Sequence, residues 1–206
     1  MEQKDWMQLK SGTDVRGTAV EGVAGEPVDL TDEAVEGIVK AFCYRLASGA
    51  GKKKLTVAVG HDSRISAQRI SDCVVRAVTQ SRCDALFTGL SSTPSMFMLL
   101  QEKDFGADAS IMITASHMPY NKNGLKFFLP SGGLEGKDIS EILQLASEGK
   151  SVSGFGECRK AEYIGRYAEN LVRFVREKTG EERPLAGKKI VVDAGNGAGG
   201  FYVDKV

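Results

Sequence analysis

The stretch TASHMPYNKNGLKFF, Thr114 to Phe128, gathers the residue types that handle a transferable acyl or phosphoryl group. Ser116 offers a hydroxyl in a small-residue loop, with His117 beside it. Pro119 holds Met118 in extended backbone, and Asn123-Gly124 is a turn signal that returns the chain so that Lys126 approaches Ser116. Acyl transfer would need a base within hydrogen-bond reach, a third group to orient it, and an oxyanion hole. Only His117 is close in sequence, an immediate neighbour usually points away, and no GxSxG elbow is present. Phosphoryl transfer asks instead for cations, a metal and little covalent machinery. Arg16, Arg64 and Lys126 could supply the charge.

Other stretches carry weaker signals. SGTDVRG (11–17) is a small-residue turn that could hold a phosphate through backbone N–H groups and the Arg16 guanidinium, although a surface turn with a solvated arginine is the simpler reading of it alone. In GHDSR (60–64), Asp62 and Arg64 either pair to position neighbouring loops or leave Arg64 free to reach a ligand. His61 reads as a structural hydrogen-bonding group before an acid or base. Gly195, Gly197 and Gly200 satisfy GxGxxG, but a dinucleotide fingerprint also needs a following helix and an acidic residue about twenty positions on, beyond Val206. A tight turn between a strand and a helix is favoured there. GAGKKK (49–54) fails as a P-loop at both ends of the pattern.

These loops need a scaffold. Helical periodicity covers 31–47, with Thr31 as N-cap, then 64–81, 93–104, 134–149 and 162–180. β-rich runs cover 54–60, 83–89, 109–115 and 124–129. Strand and helix alternate with short connections, which argues for an α/β fold: a mixed, mostly parallel sheet sandwiched by helices. Ligands of such sheets collect beyond the strands' carboxyl ends, where GHDSR, GLSSTP and TASHMP all fall. The reading divides the chain into a domain over 1–149 and a linker, helix and first strand (189–200) of a truncated second α/β domain over 150–206. Too little chain follows for a complete βαβ unit.

Lys+Arg and Asp+Glu balance at 27 each, which gives no basic excess for a nucleic-acid partner. The four cysteines show neither CxxC nor Cys/His metal spacing and fit a reduced intracellular protein. MEQKDWMQLK lacks the apolar core of a signal peptide, and no run approaches a membrane span. The expected location is the cytoplasm, or an organelle if a targeting segment lies outside this chain.

Taken together and in order, SGTDVRG, GHDSR, GLSSTP, TASHMPYNKNGLKFF and VVDAGNGAGG resemble the α-D-phosphohexomutase family, the phosphoglucomutases and phosphomannomutases. TASHMP followed by NGLK is similar to the family's active-site serine loop, TASHNP followed by NGxK. The resemblance implies a domain of the family's first type and an intramolecular phosphotransferase. Ser116 would carry the phosphoryl group exchanged with a hexose 1- or 6-phosphate through a bisphosphorylated sugar. It implies Mg²⁺ bound through the Ser116 phosphate, and a glucose 1,6-bisphosphate-type activator that primes the serine. Lys126 and Arg16 map onto residues near the phosphoserine, and His117 onto the loop histidine in a supporting role. Thr13, Asp62 and Arg64 carry over as substrate- or phosphate-binding candidates. Met118 stands where the family usually has asparagine and cannot make that amide's hydrogen bonds. The family's metal-binding, sugar-reading and later phosphate-binding loops would fall beyond Val206, so the chain alone is expected to turn over little. A non-catalytic fragment or pseudoenzyme that binds a phosphorylated ligand or a partner protein is the alternative.

Overall fold

A computed structural model of the chain describes residues 5–49, 54–195 and 197–206. The first four residues and positions 50–53 of GAGKKK lie outside the described residues. A short 3-10 turn (Trp6–Leu9) leads into β1 (Lys10–Ser11) and β2 (Asp14–Thr18), followed by α1 (Asp32–Gly49), β3 (Leu55–His61), α2 (Ala67–Gln80), β4 (Cys83–Leu90) and α3 (Thr93–Leu99). Then come β5 (Ala109–Ile113), β6 (Lys122–Leu129), β7 (Gly132–Gly133), α4 (Gly136–Ser147), β8 (Cys158–Lys160), α5 (Ile164–Thr179) and a last 3-10 turn (Ala198–Lys205).

One sheet runs β1-β2-β6-β5-β3-β4-β8, with β7 on β6. β5, β3, β4 and β8 are parallel neighbours, whereas β6 and β2 run antiparallel beside β5. Period-2 alternation sorts each central strand between two cores. Val57, Val59, Ala85, Ile111 and Ile113 face a core built with α1, α2 and α4. Ala58, Leu86 and Met112 face a smaller one built with Met96, Leu99, Tyr163 and Tyr167. The result is the expected sheet with helices on both faces. Phe42 of α1 meets Phe127 of β6 with ring centroids 4.6 Å apart, which fixes the antiparallel side of the sheet to the helical layer.

The local signals explain most boundaries. Thr31 caps α1 through Oγ1, 3.2 Å from the Ala34 nitrogen. Ser92 and Ser95 form a reciprocal capping box at α3, with Pro94 in its first turn. Four expectations need correction. The second half of the 11–17 turn is instead the start of a buried strand, Asp14–Thr18, because β6 offers it a full ladder. The α3 helix stops at Leu99 where 93–104 was expected: polar residues 101–104 follow in turns, and Gly106 sits at φ +60°. The strand expected within 189–200 does not form. Ile190, Val191 and Val192 are 58, 84 and 55% exposed, and a β run without a neighbouring strand has no ladder to join. Residues 158–160, read as linker, instead pair with β4 as β8.

Candidate functional site

Strand β5 delivers Thr114 and Ala115 buried, and the chain then surfaces at Ser116 and His117. Ser116 takes φ +57°, the left-handed region that an L-residue enters at a cost of about 1–3 kcal/mol. Its N–H donates to Thr114 Oγ1 at 3.0 Å, and Thr114 Oγ1 donates in turn to Asp62 Oδ2 at 2.6 Å. In near-helical backbone, consecutive side chains no longer point to opposite sides. His117 therefore does not turn away as expected: its Nδ1 lies 3.4 Å from Ser116 Oγ.

Arg64 meets this loop from β3's carboxyl end. Its Nη1 donates to the carbonyls of Pro119 (2.7 Å) and Lys122 (2.9 Å), and its Nη2 to those of Ser116 (2.9 Å) and Met118 (2.7 Å). Asp62 stands behind it, with Oδ2 3.4 Å from Arg64 Nε and Oδ1 accepting from the Arg64 backbone N–H. Of the two alternatives left open by the sequence, the pair positions a neighbouring loop. His61 Nδ1 bonds the Asp62 carbonyl at 2.7 Å, a structural contact. Met118 is held by its backbone, its N–H bonding the Ala115 carbonyl at 3.1 Å and its own carbonyl bonding Arg64.

A cavity of about 560 Å³ opens beyond the parallel strands. Its lining comes from 62–65 after β3, 91–93 after β4 and Thr114, Ser116, His117 and Met118 after β5, joined by Gly195 and Gly197. The glycine run thus faces the serine loop. Gly195, at φ +54°, sits in a turn, but no strand immediately precedes it and a 3-10 turn at Ala198–Lys205 follows, so it does not join a strand to a helix as expected.

Arg16 and Lys126 do not line that cavity; they meet each other's partner on the antiparallel side of the sheet. Asp14 Oδ2 takes Lys126 Nζ at 2.5 Å and Arg16 Nη2 at 2.7 Å, with the Asp14 side chain only 8% exposed. Arg16 pairs with Gly124 across β2 and β6. A Cβ at Gly124 would meet the Val15 carbonyl oxygen, Arg16 Cγ at 2.9 Å and the Thr114 carbonyl oxygen at 3.0 Å. Glycine there lets the arginine stem cross the strand beside the residue that leads into Ser116. Thr13 lies exposed in the β1–β2 turn, outside the cavity lining. Asp14 was missed from sequence. The one available signal was its i, i+2 spacing to Arg16, informative only once 14–18 is known to be a strand.

A helix-covered sheet whose parallel strands end at a clamped serine loop is an α/β/α domain. Residues 8–153 match the family described as "Phosphoglucomutase/phosphomannomutase, alpha/beta/alpha domain I". The chain belongs to the phosphoglucomutase/phosphomannomutase family. It is 32% identical over 190 residues to the phosphoglucomutase of Neisseria meningitidis serogroup B, covering 91% of this chain and 38% of that protein. The phosphoglucosamine mutase of Vibrio atlanticus is 34% identical over 160 residues, covering 75% of this chain and 34% of that protein. A phosphoglucomutase/phosphomannomutase family protein from Burkholderia thailandensis shares the fold, with a TM-score of 0.68 and 21% identity over 84% of this chain and 36% of that one. The chain therefore spans little more than a third of the length of these relatives.

Proposed function

We propose that this chain is the phosphoryl-carrying part of a phosphosugar mutase, with Ser116 as the carrier. One observation supports this above the others: in a chain of this family, an exposed serine is held in strained left-handed backbone at the rim of a cavity beyond the parallel strands. The reaction it would serve interconverts a hexose 1-phosphate and 6-phosphate. Phosphorylated Ser116 gives its phosphoryl group to the free 6-hydroxyl of a hexose 1-phosphate: the Oγ–P bond breaks, the sugar O–P bond forms, and the hydroxyl proton passes to Ser116 Oγ. The bisphosphate then returns its 1-phosphoryl group to Ser116 Oγ: the O1–P bond breaks, the Oγ–P bond forms again, the serine proton ends on the sugar oxygen, and hexose 6-phosphate is left. His117 Nδ1, 3.4 Å from Oγ, is placed to accept the serine proton. Arg16 and Lys126, gathered on Asp14, supply cationic charge on the sheet beside the loop.

The family implies Mg²⁺. Among the described residues no group of three or more His, Cys, Asp or Glu side chains converges. Asp14 is engaged with two cations, and Asp62 with Thr114 and Arg64. These residues do not build a Mg²⁺ site by themselves. The ligand that this chain would offer is the phosphate on Ser116. A hexose 1,6-bisphosphate would prime the serine.

The named relatives include a phosphoglucomutase and a phosphoglucosamine mutase, which supports a phosphorylated hexose as the substrate class. Conversion of hexose 1-phosphate to 6-phosphate by the protein at its natural length tests the reading. Ser116→Ala should abolish turnover with the fold intact. Undiminished turnover in Ser116→Ala would refute it.

A further inference from the structure

We propose that Arg64, backed by Asp62, is the positioning residue that holds Ser116 in its left-handed backbone, and that it is not a phosphate ligand. The two terminal nitrogens of a guanidinium carry four N–H donors. In Arg64 those nitrogens make four hydrogen bonds, all to backbone carbonyls between residues 116 and 122. The remaining N–H, on Nε, is buried 3.4 Å from Asp62 Oδ2 and makes no hydrogen bond. No exposed donor is left for an incoming anion unless the loop is released. An arginine that waits for a phosphate presents its fork to open space; this side chain is 11% exposed and turned into the loop.

The arrangement is closed on both sides of the serine. Arg64 holds the Ser116 carbonyl, and the Asp62–Thr114 hydroxyl bridge holds the Ser116 N–H. Asp62 joins the two, so a single carboxylate orders both flanks of the strained residue. Four acceptors spread over seven residues require a planar fork of fixed geometry. Lysine's point charge with three donors cannot reproduce it. The pair therefore fixes where the Ser116 hydroxyl stands, and does so before any ligand arrives.

Two measurements test this. The first is hydrogen exchange over 114–124 in the present chain and in Arg64→Lys and Arg64→Ala. The amides of Ser116, Met118 and Lys122, which bond inside the loop, should exchange roughly tenfold or more faster in both variants, with β5 and β3 unchanged. Adding methylguanidinium to Arg64→Ala should slow them again. Unchanged exchange in both variants overturns the proposal. If either variant fails to fold, Asp62→Asn takes its place: the weakened backing should likewise speed loop exchange, and unchanged exchange there is equally fatal. The second measurement rests on the phosphoserine reading and uses the protein at its natural length. Arg64→Lys should lower kcat about a hundredfold with KM within threefold, as expected for a misplaced reacting atom. A raised KM with unchanged kcat would make Arg64 a ligand and overturn the proposal. Absence of phosphate on Ser116 in the unsubstituted protein would defeat the phosphoserine reading alone, because the exchange result still decides the clamp.

Discussion

Lys126 reaches Asp14 across 112 residues of sequence: its Nζ lies 2.5 Å from Oδ2, and the same oxygen takes Arg16 Nη2 at 2.7 Å. Two cations on a nearly buried carboxylate leave the cluster one positive charge in excess. Such a triad is organised by its anion. Removing the anion leaves two like charges against each other in a poorly solvated place. Asp14→Asn should therefore destabilise the chain by about 2–4 kcal/mol. Urea unfolding followed by circular dichroism measures this, and an unchanged midpoint would contradict it.

Gly124 is where β2, β6 and the serine loop press together. A methyl group there would collide with the Val15 and Thr114 carbonyls and the Arg16 stem. Two of these neighbours are backbone and cannot swing aside. Gly124→Ala should cost about 2–4 kcal/mol and should displace Arg16 from Asp14. Thermal unfolding gives the first effect. Loss of protection at the Val15 and Leu125 amides, a cross-strand pair, gives the second.

Met118 contributes its backbone to the loop. Restoring the family's asparagine should then matter little. Met118→Asn is expected to change the rate of Ser116 phosphorylation by less than about threefold, the range of a near-neutral substitution. A gain of a hundredfold would show that the side chain carries a role of its own.

Tyr163 gives a pH prediction. It is 2% exposed, and burial, aided by the negative charge of Glu102, raises its phenol to about 12. A phenol whose folded value is raised contributes stability that is fully present below its unfolded value of roughly 10 and is lost as pH rises through about 12. Between those limits the contribution falls by as much as about 2–3 kcal/mol. Tyr163→Phe should flatten that part of the decline. The measurement is the denaturant midpoint from pH 9 upward, compared between the two proteins. Parallel curves would contradict the assignment.

Much of this was legible in the sequence. Helical and two-residue periodicities marked the helices and central strands, because their apolar faces are sorted by two separate cores. The serine loop was legible because a buried apolar run, Ala109–Ile113, ends abruptly in small and polar residues. Asp14 was not, since its role depends on β2 lying antiparallel to β6, a pairing across more than a hundred residues that local patterning does not encode. His117's approach to Ser116 was also hidden: it follows from the left-handed backbone at 116, and serine gives no propensity signal for that state. β8 escaped notice because its three residues are all exposed and carry no apolar alternation. The run 189–193 misled in the opposite way: its composition is that of a strand, but among the described residues no neighbouring strand offers it a ladder.

The most direct test of the account is phosphopeptide mapping after the protein at its natural length meets hexose 1,6-bisphosphate. The account predicts one phosphoryl group, on the peptide containing Ser116, and none in Ser116→Ala. Phosphate on any other residue, or no incorporation while the protein still turns over sugar phosphate, would contradict it.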